Sequence, residues 1–298
     1  MRQQRQAGQK TGQTVDVYQF ITDQIVKALE QGRIPWRKTW QGVGYARNYV
    51  TKHIYTGINA ILTNLSPYEV PYFITLKQAN ALGGKVRREA KSLPIVYWKI
   101  SYKDQEGNIV VDEDRFGQDD LTKLFFARYY RVFNISDIEG IDFQLPETPH
   151  THDQLDQCER IIASIPNPPT IRFGGSEPYY APPIDTVQMP VLNQFESPEA
   201  YYATFFHELV HSTGHVSRLM REEVMGTVKF GSLIYSQEEL TAEIGAAFLC
   251  RVVGIDNPAT FTNSTAYIQG WLSKLKDDKK FIFQAASKAK RAVEYILP

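Results

Sequence analysis

The chain has 298 residues, 43% hydrophobic and 22% charged, enough apolar material for one large core or two ordinary domains and too much for a wholly disordered chain. No run of 18 apolar residues occurs, which excludes a membrane-spanning helix, and the polar, Gln-rich start lacks the apolar stretch of a secretion signal, so a cytoplasmic protein without a membrane partner is expected. The formal net charge of zero is uneven: residues 1–100 carry 15 Lys and Arg against 5 Asp and Glu (net +10), residues 101–170 carry 6 against 14 (net −8), and residues 171–298 carry 12 against 14 (net −2).

Residues 1–14 are polar and expected to be a disordered tail. Val15 to Gln31 predicts an amphipathic helix, with Val17, Phe20, Ile21, Ile25, Ala28 and Leu29 at helical spacing and Gly32 as its stop. Ile34 to Tyr55 reads as loop, and Gly57 to Leu65 as a buried helix or strand. A short helix over Leu76 to Leu82 ends at Gly83-Gly84, two β-rich runs follow at Leu93–Tyr102 and Phe125–Phe133, and Gly107-Asn108 marks a turn. Residues 15–145 therefore read as an α+β N-terminal domain, with a linker or surface loop at Pro146 to His152. In the second domain, residues 153–298, a helix over Asp153–Ile165 precedes short strands at Thr170–Phe173 and Thr186–Met189. Ser197-Pro198-Glu199 places a capping residue, a first-turn proline and an acid in order, opening a helix that runs to about Ser212. Further helices are expected at Ser236–Val253, Thr265–Leu275 and Phe281–Ile296, giving a mainly helical domain with a small sheet. Cys158 and Cys250, far apart and unpatterned, are expected as buried thiols.

The chemistry centres on His207-Glu208-Leu209-Val210-His211. Two histidines four residues apart on a helix project from one face and present two imidazoles to one divalent ion. Such an ion lowers the pKa of its water toward 7, and Glu208, beside the first histidine, is placed to take the proton. Zinc is the default ion, and two histidines with a carboxylate also accommodate manganese. A third protein ligand is required. His215 lies beyond Gly214, where the helix should end, and the extended pattern that supplies a third histidine would need it at position 217, which is Ser217. Glu239 and Glu243 share one face of the later helix; one would ligate and the other could hydrogen-bond a ligating histidine. Ser236-x-x-Glu239 also forms a capping box, which would occupy Glu239 and leave Glu243 as the ligand. The small residues Gly245, Ala246 and Ala247 permit the two helices to approach closely.

In the basic first third, aromatics interleave with cations: Trp36, Arg37, Lys38 and Trp40, then Arg47 and Lys52, then Lys77, Lys85, Arg87, Arg88 and Lys91, then Trp98. Bases stacked on rings along a positive groove are how single-stranded nucleic acid is held, and no recognition-helix motif for duplex readout is visible.

Taken together, Pro35-Trp36-Arg37-Lys38, Tyr55-Thr56-Gly57-Ile58-Asn59, Lys77-Gln78-Ala79 with Gly83-Gly84, Tyr130 to Asn134, His207 to His215 with Ser217-Arg218-Leu219, and Glu238 to Glu243 span nearly the whole chain in order. In this the sequence resembles the ArdC-type antirestriction proteins of conjugative plasmids. The resemblance implies a single-stranded-DNA-binding N-terminal domain joined to a zincin-like metallopeptidase domain, and a role in shielding an incoming plasmid strand from restriction enzymes. It implies His207 and His211 as ligands and Glu208 as base. The string Glu239 to Glu243 also resembles the second metal helix of gluzincin peptidases, in which the first acid ligates; that inclines the choice to Glu239. A protein substrate or a restriction enzyme is a further partner to consider. The rival functions are a DNA-tethered protease acting on DNA-associated proteins and a DNA-binding protein whose metal site is not catalytic.

Overall fold

The computed structural model describes residues 15–37, 45–103, 106, 109–110, 122–145, 154–225, 233–255 and 264–297. The N-terminal tail, Lys38, Trp40, the Gly107-Asn108 turn and the 146–152 linker lie outside them.

The first helix, α1 (Val17–Glu30), starts where Asp16 accepts a hydrogen bond from the Gln19 amide, and it buries Ile21, Ile25, Ala28 and Leu29. A 3-10 turn at Pro35–Arg37 follows. Next come β1 (Arg47–Asn48), α2 (Ile58–Thr63), β2 (Tyr72–Ile74), α3 (Leu76–Ala81), β3 (Lys85–Val86), β4 (Leu93–Lys103), β5 (Ile109–Val110), β6 (Thr122–Asn134) and β7 (Ile138–Glu139). The undecided run Gly57–Leu65 is thus helical, and α3 is fixed by a reciprocal capping box between Thr75 and Gln78. The main sheet has the order β1-β2-β6-β4-β5. Its long antiparallel pair β4–β6 keeps register from Leu93 opposite Val132 to Lys103 opposite Thr122.

The remaining elements are α4 (Gln154–Ser164), β8 (Thr170–Phe173), β9 (Tyr179–Ala181), β10 (Thr186–Met189), α5 (Pro198–Ser212), α6 (Glu222–Met225), α7 (Leu233–Val253), α8 (Ser264–Asp277) and α9 (Phe281–Ile296). The fold class is α+β, as the sequence predicts. Strand β10 pairs parallel to β8 and antiparallel to β9, so β9, which the sequence did not signal, is the sheet edge nearest the HExxH helix α5. Ser197 caps α5 through the Ala200 amide, as its Ser-Pro-Glu start predicts. Helices α5 and α7 approach closely because Gly245 has no side chain: a Cβ there would lie 2.8 Å from a Val210 methyl. Both cysteines are buried and free, and burial pushes the Cys158 thiol up to about 12.

One hydrophobic cluster runs through both halves. Ile21, Ile25, Trp36, Ile61 and Val96 belong to the same core as Phe206, Leu209, Phe248, Trp271 and Ile282. Trp36 is fully buried with its ring edge-on to Trp271 at 5.7 Å between centroids. Smaller clusters around Phe73 and around Ile74 sit against the main sheet.

Candidate metal centre

Helix α5 sets His207 and His211 one turn apart, with their Nε2 atoms 3.1 Å from each other. Helix α7 crosses beneath and brings Glu239, whose carboxylate oxygens lie 3.7 Å from His207 Nε2 and 3.6 Å from His211 Nε2. Ligands at 2.0–2.1 Å from a tetrahedral ion are about 3.3 Å apart, so these three donors fit a divalent metal with little adjustment. Among the described residues they form the one group of three or more His, Cys, Asp or Glu side chains whose donor atoms converge in this way.

Glu243, the other candidate acid of α7, does not join them. It lies outside this group: its Oε1 accepts Arg37 Nε at 2.9 Å and Nη2 at 2.6 Å, and the Trp36 indole N–H at 3.4 Å. A buried carboxylate turned onto a guanidinium is not presented to an ion beside the histidines. Burial pushes the Glu243 carboxyl up and the Arg37 guanidinium down, as it does for any charge taken out of water. The capping-box alternative also falls, because α7 begins at Leu233 and Ser236 sits inside it.

The residue that reasoning from sequence missed is Glu238. Its Oε1 lies 3.0 Å from His211 Nδ1, which leaves Nε2 for the metal. Glu238 is held in turn by Arg221, whose Nε and Nη2 donate to its two oxygens at 2.9 and 2.7 Å. Arg221 also donates to the Val210 carbonyl and the Thr213 hydroxyl, so it locks the end of α5 to α7. Burial pushes the Glu238 carboxyl up, but the Arg221 charge and the hydrogen bonds from His211 and Arg221 outweigh it and hold the group below its usual range. A run of three acids was the available signal, yet only packing reveals which of them faces His211.

A cleft of about 390 Å³ opens on the cluster, lined by Glu208, Glu223, Val224 and, from the β9 edge, Tyr179 and Tyr180. Glu208 is 7% exposed. The β9 edge is pinned from the other side: Tyr180 donates to Asp185, which Arg218 grips while also donating to the Ser212 carbonyl at the end of α5. His215 turns to Ser217 and Asp185, away from the cluster, as the helix end at Gly214 requires.

Burial alone would push the His207 imidazolium down, but Glu239, Glu208 and Glu243 outweigh it and raise the group to about 9. A metal must displace that proton. Manganese affinity is therefore expected to rise about tenfold per pH unit up to about pH 9 and to level off above it, measured by calorimetric titration. A flat profile from pH 6 to 8 would contradict this reading of His207.

The nucleic-acid candidates divide. Trp36 is core and Arg37 is committed to Glu243, so neither is a surface contact; the sequence offered an aromatic and a cation without saying which way they face. Lys38 and Trp40 are outside the described residues. Lys52, Lys77, Lys85, Arg87, Arg88, Lys91 and Trp98 are exposed, and Arg47 is half-buried on β1. Arg87 shares its charge with Glu139 at 3.3 Å.

An HExxH helix, a crossing helix with a ligand-range carboxylate and a small sheet whose edge lines the cleft define a zincin-like metallopeptidase domain. Accordingly, residues 156–288 match the zincin-like metallopeptidase family model, and residues 15–133 match the N-terminal domain of anti-restriction factor ArdC. The crystal structure of the antirestriction ArdC protein from plasmid R388, metal-free, superposes with a TM-score of 0.73 at 32% identity, covering 95% of this chain and 97% of that one. Its Mn(II)-bound form gives the same TM-score at 31% identity. The protein y4eC of Sinorhizobium fredii is 33% identical over 96% of this chain and 94% of its own. DNA primase TraC of Escherichia coli is 34% identical over 94% of this chain, which spans 27% of that protein. The chain belongs to the ArdC antirestriction family.

Proposed function

We propose that this protein binds single-stranded DNA through its basic N-terminal half and protects an incoming conjugative plasmid from the recipient's restriction enzymes. The observation that carries the reading is the end-to-end likeness to an antirestriction protein, both halves together. The exposed cations on the +10 segment support the DNA contact.

In the C-terminal half, His207, His211 and Glu239 would hold one divalent ion, zinc or manganese, which supplies Lewis acidity and activates water. Glu238 and Arg221 orient His211. Glu208 accepts a proton from the attacking water and returns it to the departing amine. Among the described residues β9 is a sheet edge, and its Tyr179 and Tyr180 line the cleft; an edge there suits an extended peptide laid alongside it, which favours a second reading: a DNA-tethered protease.

Glu208→Gln separates the two. Proteolysis, if the chain has it, is expected to fall about 10² to 10⁴-fold, with manganese and DNA affinities within about threefold of wild type. Plasmid transfer into a restricting recipient is then scored. Protection that survives the substitution assigns antirestriction to DNA binding, and protection that disappears assigns it to hydrolysis. A wild-type protein giving no protection at all would sink the antirestriction reading.

A further inference from the structure

The antiparallel pair β4–β6 is buried at one end and largely exposed along the rest of its length. On one face, Ile95 and Val132 pack into the cluster around Phe73. On the other, Val96 belongs to the main core, and Tyr129 stacks on Phe20 of α1 at 5.1 Å. Beyond these positions most side chains on both faces are exposed: Tyr97, Trp98, Lys99 and Ile100 on β4, and Phe125, Phe126 and Arg128 on β6.

Directly opposed residues of an antiparallel pair share a face. The register therefore places Tyr130 (opposite Ile95), Tyr97 with Arg128, and Lys99 with Phe126 in one ladder. Its rungs are about 6.8 Å apart. Tyr97, Tyr130 and Phe126 are 46%, 37% and 38% exposed, and the two tyrosine rings lie 6.1 Å apart. Arg128 is exposed between the Tyr130 and Phe126 rings and Lys99 opposite Phe126, and no carboxylate among the described residues pairs with either. The opposite face differs. Its middle is Trp98, Ile100, Ala127 and Phe125, and its cations Lys123 and Arg131 lie over Tyr102 and Tyr129.

We propose that the ladder of Tyr130, Tyr97, Arg128, Lys99 and Phe126 is the platform on which a single DNA strand lies, bases on the rings and phosphates on the two cations. This rests on the single-stranded-DNA reading above and gives it a place. Exposed rings alone would suit a protein partner equally; the cations beside them, unpaired among the described residues, select a polyanion, and flat rings in series select unstacked bases over a duplex.

The test is fluorescence anisotropy of a labelled oligothymidylate with the full chain over a range of salt. Tyr97→Ala and Phe126→Ala are each expected to weaken binding about fivefold to a hundredfold. Lys99→Gln with Arg128→Gln should reduce the slope of log affinity against log salt by about 0.7 per cation removed. Ile100→Ala with Phe125→Ala, on the opposite face, should leave affinity within about twofold. All these side chains are exposed, so circular dichroism and the thermal midpoint should match wild type. A wild-type chain that does not bind the oligonucleotide at low salt overturns the single-stranded-DNA reading itself. A wild-type chain that binds, with the ladder variants unchanged or the opposite face responsible, overturns the platform and leaves that reading standing.

Discussion

Arg221→Ala is expected to destabilise the protein by about 3–5 kcal/mol, because it leaves the Glu238 carboxylate buried without its counter-charge. Arg221 and Glu238 are 6% and 5% exposed, so water cannot replace the lost fork. The same substitution frees the Val210 carbonyl and the Thr213 hydroxyl at the end of α5. For a chain of this size the thermal midpoint should fall by about 5–8 °C. Manganese affinity should fall a further 10- to 100-fold, since Glu238 no longer fixes the His211 ring. Arg221→Lys should rescue little, lacking the planar fork. Arg221→Ala combined with Glu238→Ala should recover part of the stability, because the orphan charge is gone, but none of the metal affinity. A midpoint shift under 2 °C for the single variant would show that the ion pair is not structural.

The second large effect distinguishes two acids one turn apart. Glu239→Ala removes one of three protein ligands and should cost roughly a hundredfold or more in metal affinity. Glu243→Gln keeps a hydrogen-bond acceptor for Arg37 and Trp36 and should cost less than tenfold. Calorimetric titration with manganese and with zinc measures both. The opposite ranking would return Glu243 to the metal and refute the geometry described above.

Much of this site is legible in the sequence for local reasons. Histidines at i and i+4 must share a helix face, and Ser-Pro-Glu must open a helix, whatever the fold does elsewhere. The choice between Glu239 and Glu243 is not local. Both lie on the same face of α7, and they are separated by Arg37, which reaches Glu243 across 206 residues of sequence. Glu238 escaped notice because its role depends on the rotation of α7 against α5 and on Arg221 from the intervening loop. Trp36 and Arg37 were misplaced for a related reason: a tryptophan beside an arginine reads equally as a stacking site or as a core residue with a buried ion pair. The β4 and β6 strands were plain from their β-branched and aromatic content, yet the ladder on their shared face needs the register, and nothing in either strand alone states that Tyr97 lies across from Arg128.

The single core that joins Trp36 to Trp271 bears on where the chain can be divided. A recombination breakpoint between residues 134 and 153 would deliver one half with Ile21, Ile25 and Trp36 bare, or the other with Phe248, Trp271 and Ile282 uncovered. Either fragment alone would expose a broad apolar face and be prone to aggregate. In the TraC primases the aligned stretch covers 94% of this chain inside a far longer polypeptide, so both halves were carried together. The shared core makes the two halves one folding unit, so a fusion is expected to join this unit at its ends and not between residues 134 and 153.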